Sequence, residues 1–313
     1  MKLRDLIADY VDFRQSMGQK FTSCGHLLQA FCHAVGGETE ITDVDREQVL
    51  FFLGRPVTCY WHRKYHTLAP FYRYAISRGY VSASPLPTTI PKVPPQFVPY
   101  IYTDEDVQRL LNATTSYRSI HILLEPHTFR AILLLLYGSG LRISEALSLR
   151  MADVDLSDAL LQIRETKFYK SRLVPIGTDL RQAMVQYAAT RRKAGHSEMP
   201  DSPFFSGRNG TQLTIPTVQQ AFRQLRAHAG IRRLDSARYQ PRLHDLRHAF
   251  AVNRVVAWYR SGADVPRLLP KLSTYLGHIS LSSTQRYLAM TPELLQQASQ
   301  RFEWYAIAGG GHE

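Results

Sequence analysis

The sequence predicts a mainly α-helical protein of two domains, the second carrying a small antiparallel β-sheet. Three observations predict it. Apolar residues recur at three- and four-residue spacing along most of the chain, the period of an amphipathic helix. Six prolines crowd SASPLPTTIPKVPPQFVPY, residues 82–100, a density that no helix survives. A length of 313 residues is more than one core usually serves.

In the first domain, residues 1–97, Leu3, Leu6, Ile7, Tyr10 and Val11 mark one helical face, and Leu27, Leu28, Phe31, Cys32 and Val35 mark another. A third helix covers 45–53. A fourth starts near Cys59 and interleaves Arg63, Lys64, His66, Arg73 and Arg78 with Tyr65, Phe71, Tyr72 and Tyr74, with Pro70 expected to kink or split it. The proline-rich stretch from about residue 82 reads as an extended, semi-rigid linker. The second domain, 98–313, opens at Thr103-Asp-Glu-Asp106, a capping-box pattern ahead of a helix. Phe129–Tyr137 reads as a buried helix ending at Gly138-Ser-Gly140, followed by a short helix over 143–149. β-Branched and alternating positions at 160–165 and 173–176 predict a hairpin whose loop carries Lys167, Lys170 and Arg172. Further helices are expected at 179–193, 216–228, 244–260, 281–290 and 292–303.

Composition narrows the function. Thirty-eight Lys and Arg against 26 Asp and Glu give a net charge of +12. Residues 1–100 hold 11 basic and 8 acidic side chains, and residues 101–313 hold 27 and 18, so the excess lies in the second part. A pI of 9.7 favours a polyanionic partner, nucleic acid before a membrane surface. Cys24, Cys32 and Cys59 have no metal-binding spacing and read as thiols of a reducing compartment. The N-terminus carries acids and no continuous apolar segment, and the longest apolar run, Ala131–Tyr137, is too short to span a bilayer. A cytosolic protein that meets nucleic acid is the expectation.

Four stretches place cationic or hydroxyl groups at element boundaries: SGLRISEA, ETKFYKSR, HDLRHAF and LGHISLSSTQRY. Arg142 can present its guanidinium fork to an anion at a helix start, or pair with Glu145. His244 and Arg247 share one helix face and suit phosphate recognition. His248, four residues after His244, has the spacing of a zinc pair, but Arg247 on that face would repel a metal; a satisfied core histidine fits better. Lys167 is either part of a solvated basic loop or a mobile general acid. Taken alone, Tyr287 reads as a packed residue after a tight turn. Beside two arginines, a lysine and two histidines it can instead be a nucleophile at phosphorus, the fixed cations taking the place of a metal ion.

The order Arg142, Lys167, His244-x-x-Arg247, His278, Tyr287 resembles the tyrosine recombinase (phage integrase) family. GLRISEA, HDLRHAFA and LGH followed by a tyrosine nine residues on are similar to its three boxes, and TKFYKSRLVPI to its hairpin. None of the six positions departs from the pattern. Residues 1–97 resemble the helical core-binding domain of Xer-like and transposon-encoded members. The resemblance implies a two-domain clamp on double-stranded DNA and a homotetramer, alone or with related recombinases. It further implies exchange of strands through a 3′-phosphotyrosine and a Holliday junction, without metal, ATP or cofactor, in transposition or integration. It implies a cytoplasmic bacterial protein, nucleoid-associated when active. Candidate DNA contacts are Arg63, Lys64, Arg73, Lys170, Arg172, Arg223 and Arg226. A type IB topoisomerase-like enzyme and a non-cutting DNA-binding paralogue are the alternatives.

Overall fold

A computed structural model describes residues 1–94, 98–116, 124–164, 171–235 and 239–277. The chain divides into two compact units, Met1–Phe97 and Val98–Glu313.

The first unit contains α1 (Leu3–Ser16), α2 (Thr22–Val35), α3 (Arg46–Leu53) and α4 (Cys59–Ser77). Asp45 starts α3 with a reciprocal capping box, its side chain accepting from the Gln48 N–H. Leu3, Leu6, Leu28, Phe31, Val49, Phe71 and Tyr72 meet in one core, each such burial worth roughly 1.5–3 kcal/mol. Pro70 does not split α4, which runs unbroken from Cys59 to Ser77 and buries Leu68, Phe71, Tyr72 and Ala75. Burial of that face outweighs the lost backbone hydrogen bond. The start of the proline-rich segment is also less free than its composition predicts. Leu86 is buried in the same core, and the Tyr65 hydroxyl donates to the Pro87 carbonyl at 3.3 Å.

The second unit begins with α5 (Asp104–Ser116). Thr103 Oγ1 accepts from the Asp106 N–H at 3.1 Å and Asp106 Oδ2 from the Thr103 N–H at 3.2 Å, the expected capping box. α6 (Pro126–Ser139) is the central helix and packs against α5, against α8 (Thr178–Lys193) and against α10 (Asp245–Arg260). Its apolar run faces neighbours on several sides, so Phe129, Ile132, Leu133, Leu135 and Leu136 are all buried. α7 (Ile143–Leu147) follows directly, and α9 (Ile215–His228) lies between α8 and α10 in sequence. The sheet has β1 (Val154–Asp155), β2 (Leu160–Ile163) and β3 (Arg172–Pro175) in sequential antiparallel order. Leu161 pairs with Val174 and Ile163 with Arg172; Leu161, Ile163 and Val174 face the core while Leu173 is exposed. The period-two pattern accounts for β2 and β3, whereas two-residue β1 is too short to leave one.

The sequence reading missed α11 (Val265–Leu276). Its segment, VPRLLPKLSTYL, holds two prolines that mask the helical period. Pro266 occupies the first turn, where no N–H is needed, and Asp264 caps the start by accepting from the Arg267 N–H at 3.2 Å. Val265, Leu272 and Leu276 close a small core with Val252, Val255 and Val256 of α10. The helices expected at 281–290 and 292–303 lie outside the described residues. Among those described, no helix is long and apolar enough to cross a membrane.

Candidate active site

α6 ends where the chain must pass against two other helices. Gly140 takes φ +62°, and a Cβ there would stand 2.4 Å from Phe250 Cδ1 and 2.9 Å from Leu276 Cδ2. Only glycine allows both the left-handed turn and this approach of α10 and α11. The next turn presents Arg142 as the residue that caps α7. Its backbone N–H donates to Glu145 Oε2 at 3.0 Å and its Nη1 to Glu145 Oε1 at 2.8 Å.

α10 begins with a second acid–arginine pair. Asp245, fully buried, accepts from the Arg242 N–H at 2.8 Å and from Arg242 Nη2 at 2.9 Å. This fixes the first turn, from which Arg247 reaches into the protein and His244 stays at the surface. Arg247 is 1% exposed and donates to the carbonyls of Gly140 and Leu276, both at 2.6 Å.

These groups converge on the C-terminal end of α11. A helix end leaves carbonyls without intrahelical partners and carries partial negative charge, which favours cations. Three arginines from three elements meet that demand. Arg172 Nε donates to Tyr275 O at 2.9 Å, Arg247 Nη2 to Leu276 O, and Arg142 Nη2 to Gly277 O at 2.9 Å. Glu145 lies among them, bound also by both Arg172 Nη atoms at 3.1 and 2.9 Å. Burial alone would raise the Glu145 pKa, but the hydrogen bonds and charge of Arg172, then of Arg142, hold it below the ordinary glutamate value.

His244 experiences the opposite field. Desolvation, then the guanidiniums of Arg247, Arg242 and Arg142, push its imidazole down to about 4. The side chain is solvent-exposed, so the arginine charges are the component that the geometry supports directly. A neutral His244 at neutral pH can donate one hydrogen bond from one of its ring nitrogens. Its ring meets His248 edge to face with centroids 4.9 Å apart, and His248 Nε2 lies 3.9 Å from Asp245 Oδ1. Among the described residues, no group of three His, Cys, Asp or Glu side chains is placed to hold a metal ion.

The structure therefore brings together Arg142, His244 and Arg247, which lie up to 105 positions apart in sequence. Lys167, Lys170, His278 and Tyr287 lie outside the described residues. His278 directly follows Gly277, the residue whose carbonyl Arg142 binds.

The cations assigned to DNA contact divide in two. Arg63, Arg73 and Arg223 are exposed, the first two on α4. Lys64, Arg172 and Arg226 do not fit the expectation of free, outward cations. Lys64 donates to Phe52 O and covers the Phe52 and Tyr60 rings, Arg226 Nη1 donates to Pro241 O at 2.6 Å, and Arg172 binds Glu145. In each case a nearby internal acceptor outcompetes solvent for the donor. Sequence reading weighed Glu145 only as a partner of Arg142, and passed over Arg242 and Asp245. The signal was present as an acid three residues after an arginine, in Arg142-x-x-Glu145 and Arg242-x-x-Asp245.

The mainly helical chain with its three-stranded sheet has the fold of solved DNA-bound integrases. The Tn1549 transposon integrase in complex with a circular intermediate DNA superposes with a TM-score of 0.70 at 17% identity, over 96% of this chain and 99% of that one. Residues 101–293 match the phage integrase family model. A candidate integrase/recombinase of Sinorhizobium fredii, y4rB, is 34% identical over 96% of each chain. The tyrosine recombinase XerC of Myxococcus xanthus is 32% identical over 75% of this chain and 73% of its own. The chain belongs to the tyrosine recombinase (phage integrase) family.

Proposed function

We propose that the chain is a site-specific DNA recombinase that cuts and rejoins duplex DNA through a 3′-phosphotyrosine on Tyr287. The observation that carries this reading is the gathering of Arg142 and Arg247 at the end of α11, two residues before His278, with His244 in the field of both arginines. Nothing in ordinary core packing calls for three arginines around one helix end, two of them sharing a carboxylate; phosphoryl transfer calls for cations already in place where charge develops.

In this reading, Tyr287 Oη attacks the scissile phosphorus, its proton leaving to solvent or a neighbouring base, and the bond from phosphorus to the 5′-oxygen breaks. Arg142, His244, Arg247 and His278 stabilise the added charge on the non-bridging oxygens. Lys167 gives its proton to the departing 5′-oxygen, leaving a free 5′-hydroxyl. The phosphodiester bond is exchanged for a phosphotyrosyl bond, so attack by a second 5′-hydroxyl restores the DNA without an external energy source. Arg63, Arg73 and Arg223, exposed and cationic, serve phosphate contacts away from the reacting centre. The further parts of the reading are a DNA-bound homotetramer, a Holliday-junction intermediate, a place in transposition or integration, and a cytoplasmic location.

The test is a nicked suicide substrate that traps the covalent adduct as a protein–DNA band. Wild-type protein forms the band and Tyr287→Phe binds the same DNA without forming it. An adduct with Tyr287→Phe, or none with wild type on DNA that it demonstrably binds, overturns the reading.

A further inference from the structure

We propose that Arg172 is a positioning residue of the strand-transfer site rather than a DNA contact. It ties the β2–β3 hairpin to Arg142 and to the end of α11. The inference rests on the function proposed above and concerns the same site.

Arg172 is the first residue of β3, immediately after the segment that contains Lys167. Its side chain is 12% exposed, too enclosed to lie along a phosphate backbone. All three of its nitrogens are engaged, by two different acceptor groups. Nη1 and Nη2 take the two oxygens of Glu145, and Nε takes the Tyr275 carbonyl. Through Glu145, whose same two oxygens also hold the Arg142 side chain and backbone, the orientation of Arg142 depends on Arg172. A second bond makes the tie two-pointed, because the Tyr275 hydroxyl donates to Pro175 O at 3.1 Å at the far end of β3. The guanidinium also packs closely on Gly277, the residue just ahead of His278. A Cβ on Gly277 would stand 2.6 Å from Arg172 Nη1 and 2.8 Å from its Cζ.

One planar, five-donor group can serve a carboxylate in bidentate fashion and a carbonyl at once; an ammonium cannot. The hairpin that delivers the general acid and the helix end that delivers His278 are thus referred to one frame, and errors of position there translate into lost rate.

The experiment uses full-length protein, the suicide substrate and single-turnover conditions at saturating DNA, with equilibrium binding measured across salt concentrations. For Arg172→Ala the adduct rate falls about 10–100-fold, the range typical of groups that orient catalytic residues. DNA affinity and its salt slope stay near wild type, since no phosphate contact is lost. Arg172→Lys keeps the charge and is not expected to restore the rate. A merely destabilised protein would lose burst amplitude at unchanged rate, and that result overturns the assignment. So does a salt slope lowered by about one with an unchanged rate at saturation, the mark of a phosphate contact. A wild-type rate in Arg172→Ala sinks this inference alone, whereas absence of adduct from wild type sinks the proposed function with it.

Discussion

Replacing Gly140 by alanine tests whether the site depends on the close approach of three helices. Two costs can be separated. At φ +62° an L-residue is strained, which amounts to about 1–2 kcal/mol. The added Cβ would also sit 2.4 Å from Phe250 Cδ1 and 2.9 Å from Leu276 Cδ2. Both side chains are buried, so neither is a free end that can swing aside, and forcing a methyl into such packing costs about 1–3 kcal/mol. The sum is about 2–5 kcal/mol, centred on about 3.5, equivalent to a fall of about 10 °C in Tm for a unit of this size. Gly262→Ala supplies the control, because Gly262 has φ +70° with nothing within 4 Å of its added Cβ. It therefore carries the backbone cost alone, about 3–6 °C. Thermal unfolding of the full-length variants by circular dichroism reads both. A Gly140→Ala shift no larger than that of Gly262→Ala refutes the packing argument. If the argument holds, the surviving folded Gly140→Ala protein also loses adduct formation, since Arg247 binds the Gly140 carbonyl and Arg142 lies two residues on.

The remaining predictions concern charge. Arg63→Ala, Arg73→Ala and Arg223→Ala each lower the salt slope of DNA binding by about 0.9, while Arg226→Ala, whose donor is already held by Pro241, leaves it near wild type. Equal slopes for all four would remove the distinction between exposed and engaged cations. The neighbouring arginines hold the folded pKa of His244 below the ~6.5 of an unfolded histidine, so the unfolded chain binds the extra proton first. Stability is therefore unaffected above about pH 6.5 and lost progressively as pH falls below it. His244→Gln flattens that part of the pH–stability curve, and an imidazole resonance assigned to His244 that titrates near 6.5 would contradict the arginine field.

The sequence made some parts of this architecture plain and hid others, for physical reasons. The capping box at Thr103–Asp106 is legible because its two bonds are local. α6 is legible because an apolar run ending in glycine has few other readings. α11 was missed because Pro266 and Pro270 are tolerated for positional reasons that single-residue propensity does not encode. The site divides in the same way. Arg142, His244 and Arg247 could be singled out by residue type and spacing, but the acceptors of Arg172 are a carboxylate 27 positions and a carbonyl 103 positions away. Only the fold reveals that a loop cation is an internal tie. The same holds for Lys64, whose acceptor lies on the preceding helix.

Charge and geometry make opposite demands on Glu145, and that opposition can be measured. Two guanidiniums hold one carboxylate and a third, Arg247, binds the same helix end, so the cluster of Arg142, Arg172, Arg247 and Glu145 keeps a net charge of about +2 for an incoming phosphate. If positive charge alone set the rate, Glu145→Gln would raise the net charge and speed attack on phosphorus, or at least tighten DNA binding. If orientation sets it, the same substitution slows the reaction. Glutamine keeps the shape, but its amide nitrogen cannot accept from either arginine, so one of the two oxygens that now hold Arg142 and Arg172 is lost to both. The two charge-assisted bonds on that oxygen are worth about 1.5–3 kcal/mol each in a partly buried setting, and losing part of this preorganisation corresponds to about a tenfold or greater fall in rate. Geometry should win, because a guanidinium released from Glu145 spreads over rotamers that no longer point at the phosphate, and misplaced groups cost rate steeply. Single-turnover cleavage by Glu145→Gln at or above the wild-type rate would show that the carboxylate merely tempers charge.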